Sequence, residues 1–344
     1  MMTHRITRRG AFRGAGLAAA SFAAIRLGLI DEASGQTLSV EIVNTDSNST
    51  RTLQALLRAK GWLEEQGLAA RTQNVADGSK LMGALISGSS DICMLSGFGQ
   101  VLAAVEKGGR LKVVAGAGVV PFQAMFTKRA DIRTMKDLEG KTIGTGSLGA
   151  LLHQTVVALL EKKGVDTKKV NFVNVGSSAD VFRAVVAGTV DAGPGLYDVY
   201  DQKQKYGVHV PSDGEFWREL REYVYQGSYA SDKAIAEKRD PLVRLLAAYA
   251  KLYRYISSPD SLDDYIRARQ DALGGDAKQV AAEATSEWGF IQREQPYAKN
   301  LVLTEEQLRF MQELNMKTGS QTKILPFQQV ADMSIALDAV KRLG

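Results

Sequence analysis

From residue 38 onward, short β-like apolar runs alternate with longer helical stretches, and this rhythm constrains the chain more than any other feature. Residues 38–43 alternate as a strand and stop at the polar cluster 44–49. Residues 50–66 then carry Leu53, Leu56 and Leu57 at helical spacing, with the face ending near Trp62 and Leu63. The same reading predicts strands at 69–75, 91–95 and 111–116, separated by helices at 78–88 and 98–107. A second block repeats it, with strands at 141–144, 170–175 and 191–193 and helices at 150–163 and 178–188. A further strand is expected at 221–229, and everything beyond it reads as helical, with Asp240 and Pro241 as a helix start. Strand–helix alternation of this kind implies an α/β protein whose sheets are largely parallel and covered by helices on both faces. Segments 84–91 and 184–191 share Ala, Gly and Asp at an offset of 100 residues, so the two blocks read as similar lobes.

A length of 344 residues accommodates two domains, and 45% hydrophobic with 24% charged residues excludes fibrous and disordered classes. The net charge of +5 is unevenly spread. Arg5, Arg8, Arg9, Arg13 and Arg26 against Asp31 and Glu32 place +3 within residues 1–35, leaving +2 for the remainder. That balance gives no reason to expect a nucleic-acid partner. Residues 1–35 read as an export signal: a basic start, an apolar small-residue run at 15–25, and Ala33, Ser34 and Gly35 before a cleavage point ahead of Gln36. The adjacent Arg8 and Arg9 resemble a twin-arginine signal, with ordinary Sec export as the alternative. No later run has the length of a membrane span, so a soluble exported chain is expected.

Catalytic and metal chemistry find little support. Cys93 is the only cysteine and sits in an apolar run, where a buried structural thiol is expected. His4, His153 and His209 are scattered, and no zinc spacing, HExxH pair or nucleophile elbow occurs, so no cofactor, metal ligand or catalytic residue is assigned.

The segment Gly61-Trp62-Leu63-Glu64-Glu65-Gln66-Gly67-Leu68 resembles the G-aromatic-x-x-x-x-G-L stretch of solute-binding proteins that serve nitrate, sulfonate and taurine ABC importers, a family that also includes pyrimidine-precursor binders and the thiamine-pyrimidine synthase fold. Gly78-Ser79, Ala84-Leu85 and Gly88 with Asp91 resemble its next block, Asp137-Leu138-Glu139-Gly140-Lys141-Thr142-Ile143 its second-lobe opening, and 184–191 closes the run. These matches span roughly residues 38–258. The resemblance implies a two-lobed periplasmic binding protein fold of type II, with two hinge crossovers near 116–126 and 223–229 and C-terminal helices. It further implies lobe 1 at 36–118 plus 226–344, lobe 2 at 119–225, and closure over a ligand.

In open α/β sheets a ligand lies beyond the carboxyl ends of the strands. That rule selects Asn44, Thr45 and Asp46, Ser96, Gly97 and Phe98, Gly146, Ser147, Leu148 and Gly149, and Pro194 with Tyr197; Ser79 and the returning Ser228 and Tyr229 complete the set. The loop 146–149 precedes a helix, whose amides and dipole favour an anion. Each loop alone equally fits an ordinary turn with a capping serine; their convergence on one edge favours a ligand. Phe98, Phe122, Tyr197 and Tyr229 offer flat walls, with core packing as the alternative use. These loops hold no Lys, and the only Arg near them, Arg51, lies one turn into a helix, which disfavours a multivalent anion. The leading reading is a monomeric periplasmic protein that captures a small anion or polar heteroaromatic and delivers it to an ABC permease. The competing readings are a ligand sensor presented to a membrane receptor and a thiamine-pyrimidine synthase-like enzyme.

Overall fold

Val40, Ile42 and Val43 are buried on both faces of the first strand, which therefore belongs inside a sheet rather than at its edge. The computed structural model describes residues 38–75 and 78–343; the export signal and its cleavage point lie outside the described residues. The first half runs β1 (Leu38–Thr45), α1 (Asn48–Ala59), α2 (Trp62–Glu65), β2 (Leu68–Val75), α3 (Gly78–Ser87), β3 (Ile92–Ser96), α4 (Gly99–Glu106) and β4 (Leu111–Gly116). The second runs β5 (Gln123–Thr127), β6 (Thr142–Thr145), α5 (Leu151–Lys162), β7 (Asn171–Asn174), α6 (Ser178–Ala187), β8 (Ala192–Leu196) and α7 (Phe216–Glu219). The chain then returns through β9 (Gly227–Ser231) to α8 (Asp232–Glu237), α9 (Arg239–Ile256), α10 (Leu262–Leu273), α11 (Ala277–Glu294), α12 (Glu305–Lys317), α13 (Phe327–Val330) and α14 (Ser334–Lys341).

Two sheets result, of order β2-β1-β3-β9-β4 and β5-β8-β6-β7. The sheets are largely parallel as expected, but each carries one antiparallel strand. β1 pairs parallel with β2 and β3, but β9 runs antiparallel between β3 and β4. Likewise β6 pairs parallel with β7 and β8, while β5 runs antiparallel beside β8. The cause is topological: a strand entering a sheet from the other one arrives from the opposite end. The offset repeat has a structural counterpart. Gly88 and Gly188 both take φ of 75°, and each following Asp closes a strand start: Asp91 accepts from the Glu41 amide and Asp191 from the Thr142 amide, both at 2.8 Å.

The chain crosses between the sheets twice, after β4 and before β9, and the crossings bond to each other. The Ala117 amide donates to the Gln226 carbonyl at 3.0 Å, and the Gln226 amide to the Gly118 carbonyl at 2.7 Å. Residues 221–226 thus spend their backbone on a turn and on the other crossing. The strand expected at 221–229 is corrected to Gly227–Ser231.

The C-terminal helices are joined to both sheets. Helix α10 packs along α1, and α11 packs on the 3-10 turn Tyr197–Gln202 that follows β8. Where these elements meet, Arg269 is fully buried. Its guanidinium donates to Asp198 at 2.7 Å and to Glu287; Ser49 donates to Glu287, and Asn48 Nδ2 to Asp198 at 3.2 Å. Burial pushes the Glu287 carboxyl up, with the neighbouring guanidinium pulling against it. Removing the cation alone leaves two carboxylates buried around no positive charge. Arg269→Leu is therefore expected to cost about 3–5 kcal/mol of unfolding free energy in denaturant titrations. An apolar triple replacement at Arg269, Asp198 and Glu287 is expected to recover much of that loss.

Candidate functional site

Beyond the carboxyl ends of β1, β3, β6, β7 and β8, the two sheets face a common cavity of about 70 Å³. The first turns of α1, α3, α4, α5 and α6 all open onto it, through Ser49 and Thr50, Gly78, Gly99 and Gln100, Leu151 and Leu152, and Ser178. Ser47 caps α1 by accepting from the Thr50 amide, and Ser177 caps α6 by accepting from the Asp180 amide. By contrast, α4 and α5 begin at Phe98 and Ala150 with no side-chain cap. Their first turns, one from each sheet, thus have no side-chain cap where they open onto the cavity.

Among the described residues lining the cavity, Asp46 is the one ionisable acid or base other than tyrosine, and Arg51 holds it with two hydrogen bonds of 2.7 Å. The cavity therefore carries no uncancelled side-chain charge, and the converging helix dipoles decide its potential. Two glycines allow the halves to approach so closely. A Cβ on Gly97 would lie 2.8 Å from that of Leu151, and one on Gly99 would lie 2.1 Å from Gln154 Nε2. Gln154 in turn reaches Asn315 of α12, which donates to the Gly99 carbonyl at 3.0 Å.

The expected site residues divide into two groups. Thr45, Asp46, Ser96, Gly97, Gly146 and Ser147 line the cavity, with Thr45 and Ser96 joined hydroxyl to hydroxyl at 2.9 Å. The others stand behind or beside it. Asn44 is buried and accepts from the Met94 and Leu95 amides at 2.9 and 3.0 Å, so it holds β3 where β1 diverges from it. Ser228 donates to the Met94 carbonyl at 3.0 Å and serves the same strand end. Tyr229 sits beside Cys93 in the core, and Phe98 fills the space over Gly227, where an added Cβ would be 2.2 Å from the ring. Pro194 lies within β8 opposite Met125, Ser79 is in the first turn of α3, Leu148 is exposed, and Gly149 supplies a left-handed turn with φ of 79°. Tyr197 stacks on Tyr200 with centroids 5.0 Å apart and receives a hydrogen bond from Arg293. Of the four aromatic candidates only Phe122 reaches the cavity, packed against Tyr225 and Tyr297 at 4.9 and 5.3 Å.

The lining residues not foreseen include Ser49, Thr50, Gln100, Ser177, Ser178, Tyr225, Gln226 and Tyr297. Ser177 and Ser178 follow β7, so the carboxyl-end rule already pointed to them. Tyr297 had no such signal, because it arrives from the segment between α11 and α12 through a bridge to Gly118. Cys93 does not line the cavity; it is fully buried, and burial pushes its thiol up to about 12. Among the described residues, no group of three or more His, Cys, Asp or Glu side chains is placed to hold a metal ion, and no helix is long and apolar enough to cross a membrane.

The sequence profile of the family described as NMT1/THI5 like matches residues 47–261, which contain the second sheet, all of the first except β1, and most of the residues lining the cavity. The chain belongs to the NMT1/THI5-like family. YtlA of Bacillus subtilis (strain 168), named as a binding protein, is 21% identical over 285 residues, covering 81% of this chain and 83% of YtlA. The alkanesulfonate-binding protein SsuA from Xanthomonas axonopodis pv. citri, solved bound to MOPS, superposes with a TM-score of 0.66 at 15% identity, covering 88% of this chain and 97% of SsuA. A ligand-binding component of an ABC-type import system from Staphylococcus aureus, solved with zinc bound, gives 0.69 at 10% identity, over 88% and 99% of the two chains. The fold of this NMT1/THI5-like chain is that of periplasmic binding proteins.

One titratable group shapes the loop at the rim of the cavity. His153 Nδ1 accepts from the Gly149 amide at 3.0 Å, and burial lowers the imidazole below its ordinary value of 6.5. A folded-state value below the unfolded one means that, just below pH 6.5, the unfolded chain binds the proton and the folded chain does not. Stability is therefore expected to fall as pH drops through that value. Denaturant titrations on either side of it should show this slope, and His153→Gln should flatten it.

Proposed function

We propose that the chain is the extracytoplasmic solute-binding component of an ABC importer, and that it captures a small monoanion of sulfonate, nitrate or carboxylate type between two lobes. One observation carries the choice of an anion. Five helix N-termini, two of them without capping side chains, meet at a cavity whose single carboxylate is already neutralised by Arg51. The lobes are residues 36–118 plus 226–344 and residues 119–225, with the bonded crossings as hinge, and residues 1–35 direct export to the periplasm. A monomer that hands its ligand to a membrane permease fits this arrangement. The relatives named for ligand binding and ABC import support the reading. A polar heteroaromatic is the second ligand class, favoured by Phe122, Tyr225 and Tyr297 along one wall. The thiol of Cys93 is protonated and lies behind the cavity, so it gives no support to catalysis through that residue.

The test is a thermal-shift panel on protein freed of bound solute by unfolding and refolding, with nitrate, taurine, alkanesulfonates, aromatic carboxylates, bicarbonate and thiamine precursors. A true ligand at 100 times its Kd should stabilise the fold by about 2.7 kcal/mol, a shift of several degrees. Ser147→Trp, which fills the cavity, should abolish the shift while leaving the unliganded Tm within a few degrees. Stabilisation by thiamine precursors alone would reject the anion and keep the capture role, whereas ligand turnover would reject the role itself.

A further inference from the structure

Three polar links tie the two sheets together around the cavity, and both sheets belong to one compact unit. The first link runs from α5, which follows β6, to α12, which packs on α4. Gln154 and Asn315 are fully buried; Gln154 donates to Asn315, which donates in turn to the Gly99 carbonyl at 3.0 Å and to Gln321 at 2.7 Å. The second link is the buried ion pair of Arg269 with Asp198 at 2.7 Å. Its guanidinium comes from α10, packed along α1 beside the first sheet, and its carboxylate from the turn that follows β8 of the second. The third lies at the crossings, where residues 116–119 are bonded along both edges. Gln226 occupies one edge. On the other, the Gly116 amide donates to the Leu301 carbonyl at 2.6 Å, the Ala298 amide to that of Ala117 at 2.8 Å, and the Val119 amide to that of Pro296 at 2.7 Å. Leu301 is fully buried with φ of 61°, a conformation unfavourable for leucine that its surroundings impose. A hinge works by changing φ and ψ in a few residues, and these have their backbone groups engaged on two sides.

We infer that these links hold the cleft closed whether or not a solute occupies it, with Gln154 and Asp198 as the side chains of the second sheet's half that lock it. Gln154, Asn315, Arg269 and Asp198 all stand outside the cavity lining, so no solute is needed to make their bonds. Parting the sheets breaks a buried amide pair and separates a buried charge from its counter-ion, which keeps the open form scarce. Solute then enters and leaves at the rate of that opening. Each link removed should raise the open fraction roughly tenfold. This rests on the two-lobe reading above but not on the choice of solute, and its test needs none.

Pulsed electron–electron double resonance between spin labels at Ile86→Cys and Val173→Cys tests this, on protein freed of solute by unfolding and refolding and labelled afterwards. Both positions are exposed, Ile86 on α3 beside the first sheet and Val173 on β7 of the second. The Cys93 thiol is fully buried and pushed up to about 12, so it takes no label. The labelled protein with its links intact is expected to give one narrow distance. Gln154→Ala together with Asp198→Ala should add a second, longer population. Asp198→Ala leaves Arg269 with Glu287 as counter-ion, and an unchanged circular dichroism spectrum shows that the variant folds. Where the double variant fails to fold, Gln154→Ala alone, which keeps the ion pair, takes its place with the same expectation. A broad or long distribution with the links intact overturns the lock and leaves the two-lobe hinge standing, because the cleft then opens unaided. A single narrow distance that persists in the folded variant also overturns the lock, because other contacts then hold the cleft. The solute-free measurement leaves the anion reading to the thermal-shift panel, so the two can fail separately.

Discussion

A buried guanidinium holds the molecule together. Arg269 lies where α1, α10, α11 and the turn after β8 converge, with Asp198 and Glu287 as its anions. Withdrawing three charges from water is costly, and the cost is met only because each carboxylate gains a second donor, Asn48 for Asp198 and Ser49 for Glu287. Those two donors are the first residues of α1. The network therefore fixes the orientation of a helix whose next face, at Ser49 and Thr50, lines the cavity. Stability and the binding site draw on the same few atoms, so the C-terminal helices are as much a part of the site as the loops that touch it.

The cleft follows from how the chain travels. Crossing once to build the second sheet and once to finish the first leaves an antiparallel strand in each, and ties the two crossings backbone to backbone. The parallel strands on either side deliver their helices start-first toward the same gap. The result is a concentration of aligned peptide dipoles with almost no formal charge. The monoanion proposed for it would be held without the strong grip that an arginine fork gives. Gly97 and Gly99 permit the close approach, and Asn315 ties both sides of the contact from a third helix.

Much of this was legible in the sequence. Strand periodicity placed seven of the nine strands to within about three residues, passed over β5 and started β9 six residues early, and the repeat ending in Asp91 and Asp191 marked the same strand-start hydrogen bond in both sheets. The carboxyl-end rule found Thr45, Asp46, Ser96, Gly97, Gly146 and Ser147 on the cavity wall. It also selected Asn44 and Ser228, whose polar groups turn back to hold β3, because a loop position does not say whether a side chain faces the gap or the strand behind it. The aromatic residues Phe98, Tyr197 and Tyr229 failed for the same reason: they are large, near the site and drawn into the core.

By itself, the sequence determined the order and kind of most elements and which strand ends open onto the cavity, since hydrophobic period and turn chemistry act over a few neighbouring residues. Only the tertiary structure decided the antiparallel strand in each sheet, the Tyr225 and Tyr297 wall and the buried Arg269 network. Each of those depends on residues tens to hundreds of positions apart sharing one desolvated space. Burial energy and charge pairing are properties of that space, and no local pattern in the chain encodes them.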